Sequence, residues 1–138
     1  QMRAEAPDLL ARLYEDFIFD RQREHAPDDV MTIEHPLFTW DGSRLLGRLS
    51  KRQVHGGYAL AGKAMDEQAA AALTALETIM TAPGMRKKFY FEPGQIQIVN
   101  NKTCGHSRTA FTDWPEPERH RNLTRLWLRH EGRVFYNG

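Results

Sequence analysis

The sequence predicts an α+β fold, mostly β: part of a β-sandwich, or jelly roll, with a helical layer. Three observations predict it. Short runs of β-formers recur along the chain. The turn signals Asp41-Gly42 and Glu92-Pro93-Gly94 punctuate them. One stretch, Asp66 to Met80, carries its apolar residues at helical spacing instead.

Taken in order, Ala6 to Tyr14 reads as a short helix with Leu9, Leu10 and Leu13 on one face. Phe17-Ile18-Phe19 is an apolar patch. Arg21 to Asp29 is charged and holds a proline, which predicts a loop. Met31 to Trp40 is rich in β-formers and runs into Asp41-Gly42, a hairpin signal, so Arg44 to Ser50 is the return strand. Lys51 to Lys63, with small residues around His55-Gly56-Gly57-Tyr58, reads as a mobile loop. Asp66 is a good N-cap for a helix through Met80, whose stripe of Ala69, Ala72, Leu73, Leu76, Ile79 and Met80 is core packing. Lys87 to Phe91 and Gln95 to Val99 alternate, the latter with Ile96 and Ile98 inward. Trp114 to Glu118 holds two prolines and is an exposed connection. Leu123 to Arg129 is a further strand, and Arg133 to Tyr136 follows as a last one.

Composition bounds the function. A chain of 138 residues is one domain, and folding at this size buries roughly two-thirds of the unfolded chain's surface. Hydrophobic residues at 41% and charged residues at 27% exclude wholesale disorder. The net charge of +1 and the dispersed basic residues give no support to a nucleic-acid partner. No apolar run approaches the length of a membrane span, so no membrane partner is expected. A lone cysteine, Cys104, allows no internal disulfide and fits a reducing cytoplasm; a small buried residue is its expected role. There is no phosphate loop, dinucleotide fingerprint or nucleophile elbow.

The informative stretch runs from Asn100 to Phe111, Asn-Asn-Lys-Thr-Cys-Gly-His-Ser-Arg-Thr-Ala-Phe, and resumes at Arg119-His120-Arg121-Asn122-Leu123-Thr124-Arg125-Leu126-Trp127-Leu128. It puts His106 just after an apolar segment and Arg121 fifteen residues further on. An imidazole at a strand end can hold a metal. A guanidinium nearby can bind a carboxylate through two parallel hydrogen bonds. If the strand is regular, Arg125 projects to the same face as Arg121.

These residues resemble the C-terminal signature of the iron(II)/2-oxoglutarate dioxygenases of the taurine dioxygenase and clavaminate synthase-like family. The resemblance covers most of the chain and is strongest from Glu92 to Leu128. It implies a partial double-stranded β-helix (jelly roll) with helical cover. It implies Fe(II) as the metal and 2-oxoglutarate as cosubstrate, with hydroxylation of a small organic molecule as the reaction. By the same resemblance, His106 is the distal metal ligand and Arg121 pairs with the C5 carboxylate of 2-oxoglutarate. Arg125 contacts an anionic group or supports the site. Arg108, two residues after His106, has a supporting role, and no residue is assigned as catalytic. The hairpin at Asp41-Gly42 precedes the position of a loop over the active site.

The family's first two metal ligands, a His-x-Asp/Glu pair, are absent. His25, His35, His55 and His130 lack the spacing, and His120 sits in an arginine-rich, solvent-exposed stretch. With an opening Gln1 rather than Met, this predicts the C-terminal part of a larger domain, missing its N-terminal part. Such a piece is inactive alone, and it self-associates or needs the missing segment. The competing reading is a non-catalytic jelly roll that binds a small anion through Arg121 and Arg125, or serves as an oligomerisation module.

Overall fold

A computed structural model of the chain describes residues 1–128. The expected strand at Arg133 to Tyr136, and the end of the one starting at Leu123, lie outside these residues. The order is α1 (Met2–Glu5), α2 (Pro7–Arg12), β1 (Asp16–Asp20), β2 (Thr32–Pro36), β3 (Phe38–Trp40), β4 (Leu45–Gly47), α3 (Lys51–Ala61) and α4 (Glu67–Thr81), with a 3₁₀ turn at Pro117–Arg119. The α+β class holds. The mostly-β balance does not, because helix exceeds strand among the described residues.

The Phe17-Ile18-Phe19 patch is the centre of β1, and all three side chains are buried. β1 pairs antiparallel with β2 from Asp16 opposite Pro36 to Asp20 opposite Thr32. The expected single strand over Met31 to Trp40 is therefore two. It divides at Leu37, and β3 pairs with β4 across the Asp41-Gly42 turn. In that turn the Asp41 carboxylate accepts from the backbone N–H groups of Ser43 and Arg44 and from the Ser43 hydroxyl. These bonds to the charged form hold its pKa well below the usual carboxylate range. Gly42 takes the positive φ, 98°, that the turn needs.

Most of the stretch from Lys51 to Lys63, expected as a loop, is the helix α3, Lys51–Ala61. Ser50 caps it by accepting from the Gln53 N–H at 3.3 Å. Gly62 ends it in the left-handed region, with its N–H reaching the Ala59 carbonyl. The glycines that argue for a loop serve packing instead. A Cβ at Gly57 would overlap the Ile18 carbonyl and the Phe19 backbone, so only glycine lets α3 lie against β1. Gly57→Ala should therefore lower stability by about 3 kcal/mol, the upper end for overpacking. Gly56→Ala meets only the Asp20 side chain, at 3.1 Å, and should cost much less. Urea unfolding of both variants checks this; a Gly57→Ala midpoint equal to wild type would refute the close packing.

α4 follows the expected reading except at its end, where Met80, expected in the core stripe, is exposed. Asp66 caps it through the Ala69 N–H at 2.7 Å, and Ala69, Ala72, Leu73 and Leu76 enter the core with Leu13, Phe17, Phe19, Leu37 and Val54. Asp66 also accepts from Arg12 at 2.9 Å, which ties α2 to α4. The hydrogen bond from Arg12, then that from Ala69, keep the Asp66 pKa low. This link is present at neutral pH and is lost as pH falls through that lowered value. Arg12 itself is buried, with its guanidinium 4.4 Å from the centre of the Phe17 ring. The expected helix from Ala6 to Tyr14 is shorter, beginning at Pro7, where proline suits a first helical position.

Beyond α4 the described chain carries no strand. The alternation over Lys87 to Phe91, Gln95 to Val99 and Leu123 onward does not become sheet. Ile96 and Ile98, expected inward, are 87% and 88% exposed. The reason is pairing. A strand gains its hydrogen bonds only from a neighbour, and these segments have none among the described residues. Among the same residues no helix is long and apolar enough to cross a membrane.

Candidate functional site

The segment that carries His106 is fastened to the folded body at two points. The Gly47 N–H, at the end of β4, donates to the Lys102 carbonyl at 2.7 Å. Gly105 passes near the end of α4, where a Cβ on it would stand 3.5 Å from the Met80 Cε atom. Between them the chain closes a turn. The Thr103 and Cys104 N–H groups donate to the Asn100 carbonyl, and the Asn100 side chain accepts from the Lys102 N–H at 3.0 Å. Asn100 thus satisfies backbone groups, as an Asx residue in a turn does. Cys104 is exposed, not buried as expected, because this turn stands on the surface.

The same turn brings Asn101 back to His106. The Asn101 Oδ1 atom lies 2.9 Å from His106 Nε2. A carboxamide oxygen only accepts, so Nε2 is the donor in this contact. A metal taken up at Nε2 would have to displace Asn101; one taken up at Nδ1 would not. His106 is exposed and lies outside any strand, in contrast to the expected strand end.

Arg121 arrives through a second closed loop. Its N–H donates to the Asp113 Oδ1 atom at 2.8 Å. Within the loop the 3₁₀ turn at Pro117–Arg119 puts the Arg119 guanidinium 3.6 Å from the Trp114 ring centre. Arg121 then stands over Phe111, with Cζ 5.2 Å from the ring centre. Arg108 stands over the same ring at 4.3 Å. Arg125 is elsewhere, 5.8 Å from the Trp127 ring. The shared face expected of Arg121 and Arg125 needs a regular strand, and none forms there.

The structure thus brings Arg108 and Arg121 together on Phe111, and Asn101 together with His106. The roles of Phe111 and Asn101 escape a reading of the sequence, although Phe111 sits only three residues after Arg108. Among the described residues no three His, Cys, Asp or Glu side chains gather as metal ligands would. A two-His-one-carboxylate iron centre needs three ligands, so the donor set of the described residues does not complete one. A carboxylate is better served. Neither Arg108 nor Arg121 is ion-paired among the described residues, and both guanidiniums are exposed.

Comparison with known proteins agrees with the class these residues define. The chain matches the taurine catabolism dioxygenase TauD, TfdA family over residues 1–127, nearly its whole length, and it belongs to that family. It is also similar to the FR-33289 synthase of Streptomyces rubellomurinus (strain ATCC 31215), 30% identical over 135 residues. That alignment takes in 95% of this chain but 40% of the synthase, so the chain spans about two-fifths of the relative's length.

Proposed function

We propose that the chain is the C-terminal part of an iron(II)/2-oxoglutarate-dependent oxygenase that hydroxylates a small organic substrate. The observation that carries this is the pair of guanidiniums, Arg108 and Arg121, without carboxylate partners among the described residues, two and fifteen residues past His106 in a chain of the TauD, TfdA family. In this reading Arg121 holds the distal carboxylate of 2-oxoglutarate, and Arg125 serves an anionic substrate group. His106 gives one metal ligand. The His-x-Asp/Glu pair comes from sequence preceding residue 1, as part of the same jelly-roll domain. Iron, once held by all three ligands, supplies the oxidising chemistry; this chain's residues bind and orient the cosubstrate. The length of the synthase relative to this chain supports the assignment of a missing part.

The exposed apolar residues fit the same picture. Ile96, Ile98, Leu126 and Leu128 stand in solvent here, and in the complete protein they pack against the remainder of the domain or a second copy. A cytoplasmic setting is part of the proposal, supported by the single cysteine.

The test is cosubstrate turnover. The complete protein should convert 2-oxoglutarate to succinate only when iron(II) is present, and a chelator should stop it. The 138-residue chain alone should show no turnover under the same conditions. A complete protein that binds 2-oxoglutarate but never consumes it, with iron and a range of substrates, would favour the non-catalytic anion-binding reading.

A further inference from the structure

We infer that Phe111 is a positioning residue, whose ring holds the guanidiniums of Arg108 and Arg121 as one paired seat for a dicarboxylate. This rests on the reading of Arg121 as the cosubstrate anchor and adds Phe111 and Arg108 to it. The face of a phenyl ring is the negative end of its quadrupole, so each guanidinium is attracted to it. A guanidinium over a ring keeps its N–H donors free at its own rim, where a carboxylate can take two of them.

Two cations beside one ring repel each other weakly in solvent. With Cζ atoms 4.3 and 5.2 Å from a common centre, the two charges are separated by no more than about the screening length of roughly 8–10 Å at physiological salt. The acid nearest Phe111 in sequence does not neutralise them: the Asp113 carboxylate accepts from the backbone N–H of Arg121 and makes no ion pair with either guanidinium among the described residues. That bond fixes where Arg121 leaves the loop, and Phe111 fixes where its side chain lies. The ring thus collects cationic charge at one place and leaves it unpaired, and a dicarboxylate is the ligand that this charge favours.

The experiment is a 2-oxoglutarate titration of the complete protein with iron(II), without substrate, followed by calorimetry. Phe111→Leu keeps the apolar bulk and removes the ring, and should weaken binding roughly three- to thirtyfold, the range a cation–π contact supplies. Phe111→Tyr should restore it to within about twofold, since the ring face returns. In an Arg121→Leu background, Phe111→Leu should cost less than in wild type, because the ring then positions Arg108 alone. An independent readout is the pair of Nε–Hε NMR signals of Arg108 and Arg121. The ring current should displace them in wild type and Phe111→Tyr, and they should return to ordinary positions in Phe111→Leu. Unchanged affinity in Phe111→Leu, an equal loss in the Arg121→Leu background, or failure of tyrosine to rescue would each overturn the inference. If Arg121→Leu keeps full 2-oxoglutarate affinity, the anchor assignment falls and this inference with it. If Arg121→Leu loses affinity while Phe111→Leu does not, this inference falls alone.

Discussion

The His106→Ala variant of the complete protein should form no succinate from 2-oxoglutarate and should retain little iron. A facial iron centre has three protein ligands, and the two that remain cannot hold the metal in the geometry that leaves positions open for cosubstrate and oxygen. The structure adds a point about Asn101. Its Oδ1 atom occupies the Nε2 side of the ring at 2.9 Å, so metal uptake there and the Asn101 contact compete. Asn101→Ala should therefore keep turnover, whereas His106→Ala should not. Metal content by elemental analysis and succinate by chromatography decide it. Undiminished succinate formation by His106→Ala would refute the ligand role, and loss of turnover in Asn101→Ala at saturating iron would show that Asn101 does more than fill a vacant ring nitrogen.

What the sequence made legible follows from how local each signal is. The Asp66 cap and the apolar stripe behind it are contained within one helix, and α4 forms as read. The hairpin at Asp41-Gly42 is equally local, with the carboxylate and the glycine both inside the turn. The helix from Lys51 is hidden in the sequence because its glycines weigh against helix in isolation, by up to about 1 kcal/mol each. Their reason lies in β1, some forty residues earlier in sequence, where the Ile18 carbonyl leaves no room for a Cβ. A signal for this helix was present: Ser50 followed three residues later by Gln53 is a capping-box pattern, and Ser50 does cap it. The alternation around Ile96 and Ile98 failed for the opposite reason. It describes what a strand would bury and cannot supply the partner strand. At the site, His106 and the arginines stood out through a resemblance tied to consecutive residues. The meeting of Arg108 and Arg121 on Phe111 did not, because the loop from Asp113 to Arg121 must close before the two segments touch.

Arg121→Leu in the complete protein should cost about 3–5 kcal/mol in 2-oxoglutarate binding, or roughly two to four powers of ten in affinity, because it removes the charged partner of a partly buried carboxylate. Leucine leaves the backbone bond to Asp113 available, so the loop should stay closed and the loss should report the missing guanidinium. Arg121→Lys should recover only part of it. An ammonium restores the charge but not the two-pronged contact, and it rests less well on the ring. Arg125 is the control that gives the result its meaning. It stands over Trp127, apart from the Arg108–Phe111–Arg121 cluster, so Arg125→Leu should leave cosubstrate affinity nearly intact and act on the anionic substrate instead. Titrations of wild type, Arg121→Leu, Arg121→Lys and Arg125→Leu with 2-oxoglutarate separate the two positions. If Arg125→Leu alone destroys affinity and Arg121→Leu does not, the two arginines exchange roles, and completion of the domain must then carry Arg125 from the Trp127 ring to the cosubstrate.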